Sequence, residues 1–131
     1  MTDQKKSLLS IVEQGGYPDF SSFYQSLDYE VTSTTSMRKA LGLLKQHRPD
    51  VITAEFIYSP MYSARISNLE SLFASLQSQQ LKPQLLIFIE KEQLHHLDKL
   101  VTSDMEMHTI THPVTTDKIN RCLSQAVNMN T

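Results

Sequence analysis

The sequence predicts an α/β fold: a doubly wound, five-stranded parallel sheet with helices on both faces. Two observations carry this. β-Prone runs and runs with helical hydrophobic period alternate strictly along the chain, five of each, which is the pattern of βα units wound on one sheet. Two of the strand runs, Val51 to Ile57 and Leu85 to Ile89, are apolar on both faces, as strands buried between two helix layers must be.

The polar stretch Met1 to Lys6 is expected to fray. Leu8 to Val12 reads as the first strand, ended by Glu13-Gln14-Gly15-Gly16. Pro18 suits the opening of a helix, where its missing N–H costs nothing, and Phe20, Phe23, Tyr24 and Leu27 mark its apolar face. Tyr29 to Thr34 is β-prone and half polar, as an edge strand is. Ser36 caps the next helix, with Met37, Ala40, Leu41 and Leu44 as its buried stripe. Lys45, His47 and Arg48 end it, complementing the helix dipole, and Pro49 stops it. After the central strand, Ser59-Pro60 breaks the chain. Ile66, Leu69, Leu72, Phe73 and Leu76 then define a third helix. The second central strand follows Pro83. Leu94, Leu97 and Val101 give a fourth helix with a thin apolar face. Met105 to Thr111 is the fifth strand, ended by His112-Pro113. Ile119, Cys122, Leu123, Ala126 and Val127 line the fifth helix.

Bulk properties exclude several classes. The 131 residues fit one domain, with a core spanning roughly 7–127 and no internal repeat. Net charge is −2, and no basic run exceeds Lys5-Lys6, so the electrostatic footprint of a nucleic-acid binder is missing. The single Cys122 rules out an internal disulfide framework and fits a reducing, cytoplasmic setting. The apolar run after Lys6 is too short for a signal peptide, and none reaches the length of a membrane span.

Three segments carry a family resemblance. Tyr29-Glu30-Val31, Ala40-Leu41-Gly42-Leu43-Leu44-Lys45 and Arg48-Pro49-Asp50-Val51-Ile52 resemble the corresponding interval of bacterial response-regulator receiver domains, the phosphoacceptor modules of two-component signalling. Thr111-His112-Pro113 is similar to the segment where receivers carry a Lys-Pro pair. The resemblance implies a receiver, flavodoxin-like fold with strand order 2-1-3-4-5.

It also implies a site, and this chain departs from the pattern at each reactive position. Glu13 and Gln14 stand where receivers place two magnesium-binding acids. Glu55 stands at the phosphoacceptor Asp. Phe88 or Ile89 falls at the Ser or Thr ending the fourth strand, with Glu90 beyond, and His112 replaces the Lys. Ser59-Pro60-Met61-Tyr62-Ser63 replaces the glycine-containing loop. Glu13 and Glu55 could still supply carboxylates for weak magnesium binding. Glu is one methylene longer than Asp, however, and a misplacement on the order of 1 Å costs about a hundredfold in rate. The expectation is a pseudo-receiver with a vestigial phosphoacceptor pocket and no catalysis.

A Glu55–His112 ion pair would imitate the charge contact of an activated receiver and would respond to pH near neutrality. The simpler reading, two solvated polar residues at the mouth of a vacated pocket, is preferred. His108 and His112 share a strand face and His95 and His96 diverge on a helix, without ligand spacing, so no metal site is expected. Thr32-Ser33-Thr34-Thr35-Ser36 could cradle a phosphate, but it follows an edge strand, so a capped helix start is the better account. Cys122 reads as a buried, inert thiol.

His95, His96 and Lys99 leave the fourth helix with a surface able to dock a partner. The resemblance implies the fourth helix, fifth strand and fifth helix as a partner or homodimer face. The function expected is protein–protein interaction within signalling or regulation. The alternative is a small-ligand, nucleotide or flavin module using the strand ends near Glu13, Glu55 and His112. An active phosphoacceptor ranks last.

Overall fold

A computed structural model describes residues 5–58, 67–100 and 105–129. The strands are β1 (Lys6–Ile11), β2 (Tyr29–Thr34), β3 (Val51–Glu55), β4 (Gln84–Ile89) and β5 (Met107–Thr111). The helices are α1 (Ser21–Ser26), α2 (Met37–Gln46), α3 (Leu69–Ser78), α4 (Leu94–Asp98) and α5 (Thr116–Met129), with a single 3-10 turn, Lys91–Gln93, leading into α4. All strand pairs are parallel, in the order β2-β1-β3-β4-β5. This is the doubly wound order expected, and its C-terminal strand ends open on the crevice beside β1 and β3.

Alternation along the strands sorts the core into two layers. Leu9, Ile11, Ile52, Ala54, Leu85, Ile87 and Ile89 pack with α2, α3 and α4. Leu8, Val51, Leu86, Phe88 and Ile110 pack with α1 and α5, the latter through Ile119 and Leu123. β3 and β4 are buried at every residue, which explains why they are predominantly apolar. Thr53, Glu55 and Gln84 are the polar exceptions; Thr53, on the α1 face, pairs with the buried Tyr24 hydroxyl, whose pKa burial pushes up to about 12.

Several boundaries shift from the sequence expectation for identifiable reasons. β1 starts at Lys6 rather than fraying there, because Lys6 is in register with Tyr29 and both Ser7 backbone groups are engaged with Asp50. α1 starts at Ser21, not Pro18: residues 12–20 are drawn over the strand ends, and the Asp19 carboxylate takes the Ser21 N–H. Leu27 is not on a buried face; it ends α1 and is exposed. β3 stops at Glu55 because the Ile57 N–H leaves the sheet for Asn68. β5 starts at Met107. Ser36 does cap α2, accepting from Lys39 N at 3.2 Å. Ile66, Ser59 to Ser63 and Val101 lie outside the described residues. So do the side chains of Ala126 and Val127.

Candidate functional site

Glu55 ends β3 in the row of Val51 and Thr53, so its side chain rises at the C-terminal ends of the strands between β1 and β4. It is 5% exposed. A buried carboxylate is tolerated only when its lone pairs are filled, and three donors converge on it. Gln14 N donates to one oxygen at 2.8 Å. Gly15 N (3.0 Å) and the Tyr17 hydroxyl (2.5 Å) donate to the other. Consecutive backbone N–H groups can point at one anion only where the chain turns back on itself. Gly15 and Gly16 supply that turn with φ of +76° and +86°, a region costly for residues with a Cβ. The Tyr17 phenol is pushed well above its ordinary pKa, first by burial and then by the Glu55 hydrogen bond and charge.

Glu13 points away from this cluster toward α3. Asn68, just before α3, spans the gap. Its Nδ2 donates to Glu13 Oε1 and to the Glu55 carbonyl, the latter at 2.8 Å, and its Oδ1 accepts from Ile57 N at 2.8 Å. The Glu13 carboxyl is raised above the usual range: burial is the main cause, the Asn68 hydrogen bond opposes it, and the Glu55 charge adds to it.

The far wall differs. Phe88 sits beside Glu55 in register, and Tyr17 meets it edge-on at 5.2 Å and 89°. Phe88 is therefore the β4 side chain that faces the Glu55 cluster. Ile89 belongs to the opposite core layer, with α3 and α4. His112 lines a recess of about 180 Å³ with Glu55, Tyr58 and Glu90. The His112–Pro113 peptide bond is cis. The His112 ring lies 6.2 Å from the Tyr17 ring and its backbone N–H bonds to Ile89 O. Lys118, on the first turn of α5, donates through Nζ to Thr111 O (2.9 Å) and Pro113 O (2.8 Å).

Neither reading weighed for Glu55 and His112, the disfavoured ion pair or the preferred solvated pair, describes Glu55. Among the described residues Glu55 and His112 form no ion pair, because Tyr17 fills the side of the carboxylate that an imidazole would need. Nor is Glu55 a solvated residue at a vacated mouth, since protein donors have replaced its water.

The carboxylate contacts compete with magnesium binding. Such an ion needs oxygen ligands, whereas the Glu55 oxygens face three hydrogen-bond donors and Glu13 Oε1 is taken by Asn68. No group of three or more His, Cys, Asp or Glu able to hold a metal occurs among the described residues. On α4, His95 and Lys99 are exposed, and His96 stacks on Tyr58 with ring centres 3.8 Å apart. The His96 pKa lies below its usual value through desolvation and the neighbouring His95 and Lys99 charges.

Of the six residues the sequence assigned to one pocket, Gln14, Glu55, Phe88 and His112 line the recess, Glu13 turns to Asn68 and Ile89 faces the opposite layer. Sequence reasoning missed Tyr17, Asn68 and Lys118. The Gly15-Gly16 pair beside a carboxylate-bearing strand end was the signal that could have found the loop.

Neither any protein-family model nor any curated protein matches the sequence. Solved structures do. A response regulator receiver protein from Sinorhizobium medicae is 16% identical with a TM-score of 0.70, covering 96% of each chain. The chemotaxis response regulator CheY4 of Vibrio cholerae is 18% identical with a TM-score of 0.70, covering 93% of this chain and 98% of its own. A response regulator receiver domain protein from Clostridium thermocellum is 15% identical with a TM-score of 0.63, covering 95% and 96%. These likenesses establish the receiver fold across nearly the whole chain. No helix among the described residues is long and apolar enough to cross a membrane.

Proposed function

We propose that this chain is one receiver-like domain that acts in signalling or regulation through protein–protein contacts, without catalysis and without phosphorylation. The observation that carries the proposal is the state of Glu55. A phosphoacceptor carboxylate must be free to attack and must face a metal and a hydroxyl as charge develops. Glu55 instead accepts from two backbone N–H groups and a phenol. Phe88 stands beside it in place of a hydroxyl, and Lys118 is held on main-chain carbonyls. The carboxylate anchors the loop after β1. Regulation then rests on which surfaces are exposed. The α4, β5 and α5 side, with His95, His96 and Lys99, is the surface proposed for a protein partner or a second copy, in a cytoplasmic setting.

Incubation with acetyl phosphate and magnesium, followed by intact-mass measurement, tests the proposal. The expected result is an unchanged mass. A gain of one phosphoryl group, lost in Glu55→Gln, would overturn it.

A further inference from the structure

β2 is an open edge of the sheet: among the described residues it pairs with β1 alone. Thr34 O accepts from Val12 N on the β1 side. Backbone groups alternate along a strand, so Val31 and Ser33 turn their N–H and C=O outward. Natural edges are commonly blocked by Pro, Lys or a bulge. β2 holds neither Pro nor Lys, and its six residues match β1 one for one.

Beside this edge the sheet is uncovered. α2 packs over β1 and β3 through Ala40 and Leu44 and leaves Glu30 and Thr32 exposed. Two adjoining recesses, of about 480 and 650 Å³, share Thr32, Leu43 and Gln46 and form one groove between β2 and α2. Lys39, Gly42, Leu43 and Gln46 recur at helical spacing and make its α2 wall. Arg48 lines the opposite end, beside Glu30. Gly42 is unexplained by the fold. Glycine inside a helix lowers its stability relative to Ala, and a Cβ here would meet nothing within 4 Å. A backbone approaching from outside would need the space that a side chain would take.

Charge singles out the occupant. Residues 31–49 contain Arg38, Lys39, Lys45 and Arg48 and no Asp or Glu, in a chain of net charge −2. All four cations are exposed. The first turn of α2, where the helix dipole favours an acid, carries Arg38 and Lys39 and no acid. Among the described residues Glu30 is the one acid lining the groove. An acidic strand laid along β2 would meet Lys39 at one end and Arg48 at the other.

We propose that the groove takes an extended acidic segment of a partner protein as a sixth strand. Its backbone pairs with Val31 and Ser33, and its alternate acidic side chains reach Lys39 and Arg48. This surface is separate from the one proposed on α4, and neither depends on the other.

A short peptide alternating Glu with Val and Thr, titrated into the isotope-labelled full chain and followed by amide chemical shifts, is the probe. Its controls are the same peptide with Gln for Glu, the same peptide with alternate backbone amides methylated, and a short DNA duplex. The expected result is saturable shifts at Val31, Ser33, Lys39 and Gly42, with each control peptide binding at least about tenfold more weakly. Lys39→Glu, at an exposed position, should keep the wild-type melting temperature and weaken the acidic peptide at least about threefold. Shifts that do not saturate, equal affinity for either control peptide, unchanged affinity in Lys39→Glu, or tighter binding of the duplex at this face would each overturn the proposal.

Discussion

The two sides of the Glu55 recess solve the same problem differently. On the β1 side the chain comes to the carboxylate: Gly15 and Gly16 turn the backbone so that Gln14 N and Gly15 N donate, and Tyr17 adds its hydroxyl. On the β5 side the charged group turns away. Lys118 is held on Thr111 O and Pro113 O, and among the described residues His112 has an aromatic neighbour and no carboxylate partner. A charge that is satisfied locally has no need of a partner across the gap. The acidic side is therefore a structural anchor and the basic side only a wall. Substitutions on the two sides should differ accordingly.

The largest effect belongs to Glu55→Ala. Removing the buried carboxylate takes the acceptor from three part-buried donors, and each lost hydrogen bond to a charged group costs on the order of 1 kcal/mol. A loss of about 3 kcal/mol in urea unfolding is expected. A loss below about 1 kcal/mol would mean that the loop is held by something else.

Tyr17→Phe comes next, because it keeps the ring and deletes one hydrogen bond to a charged group. About 1.5 kcal/mol should be lost near neutral pH. The sign with pH is fixed by the raised folded-state pKa of Tyr17. Its stabilising contribution is complete below the unfolded value of about 10 and declines as pH rises above it. The gap between wild type and Tyr17→Phe should therefore narrow in melts above about pH 10. A gap that stays constant would remove Tyr17 from the Glu55 cluster.

His112→Ala should do least, under about 0.5 kcal/mol. A distinctly larger cost at pH 5.5 than at pH 8 would reveal the cross-recess pair that the structure lacks.

The contrast also explains what was legible in the sequence. The strands were readable because β3 and β4 are buried on both faces and so are predominantly apolar. Glu55 was readable because a carboxylate at the end of such a run needs a reason. Its partners were not. Tyr17 lies in a loop with no period, and it reaches Glu55 across 38 residues of chain. Asn68 acts through both ends of one amide on groups 11 to 55 residues away, which no local pattern records. The resemblance to receivers directed attention to His112, where the family keeps a cation, although the cation bound here is Lys118, six positions later and turned onto carbonyls. Helix starts drifted for a related reason: Pro18 is compatible with a first turn, but the anchored loop delays α1 to Ser21.

The central claim is that the Glu55 carboxylate holds the loop after β1 through the Gln14 and Gly15 amides. Amide hydrogen exchange at those two positions, compared between wild type and Glu55→Gln, tests it most directly. The account predicts protected, slowly exchanging amides in the wild type, and selective loss of that protection in the variant while β3 and β4 stay protected. Rapid exchange at Gln14 and Gly15 in the wild type, or equal protection in both proteins, would contradict it.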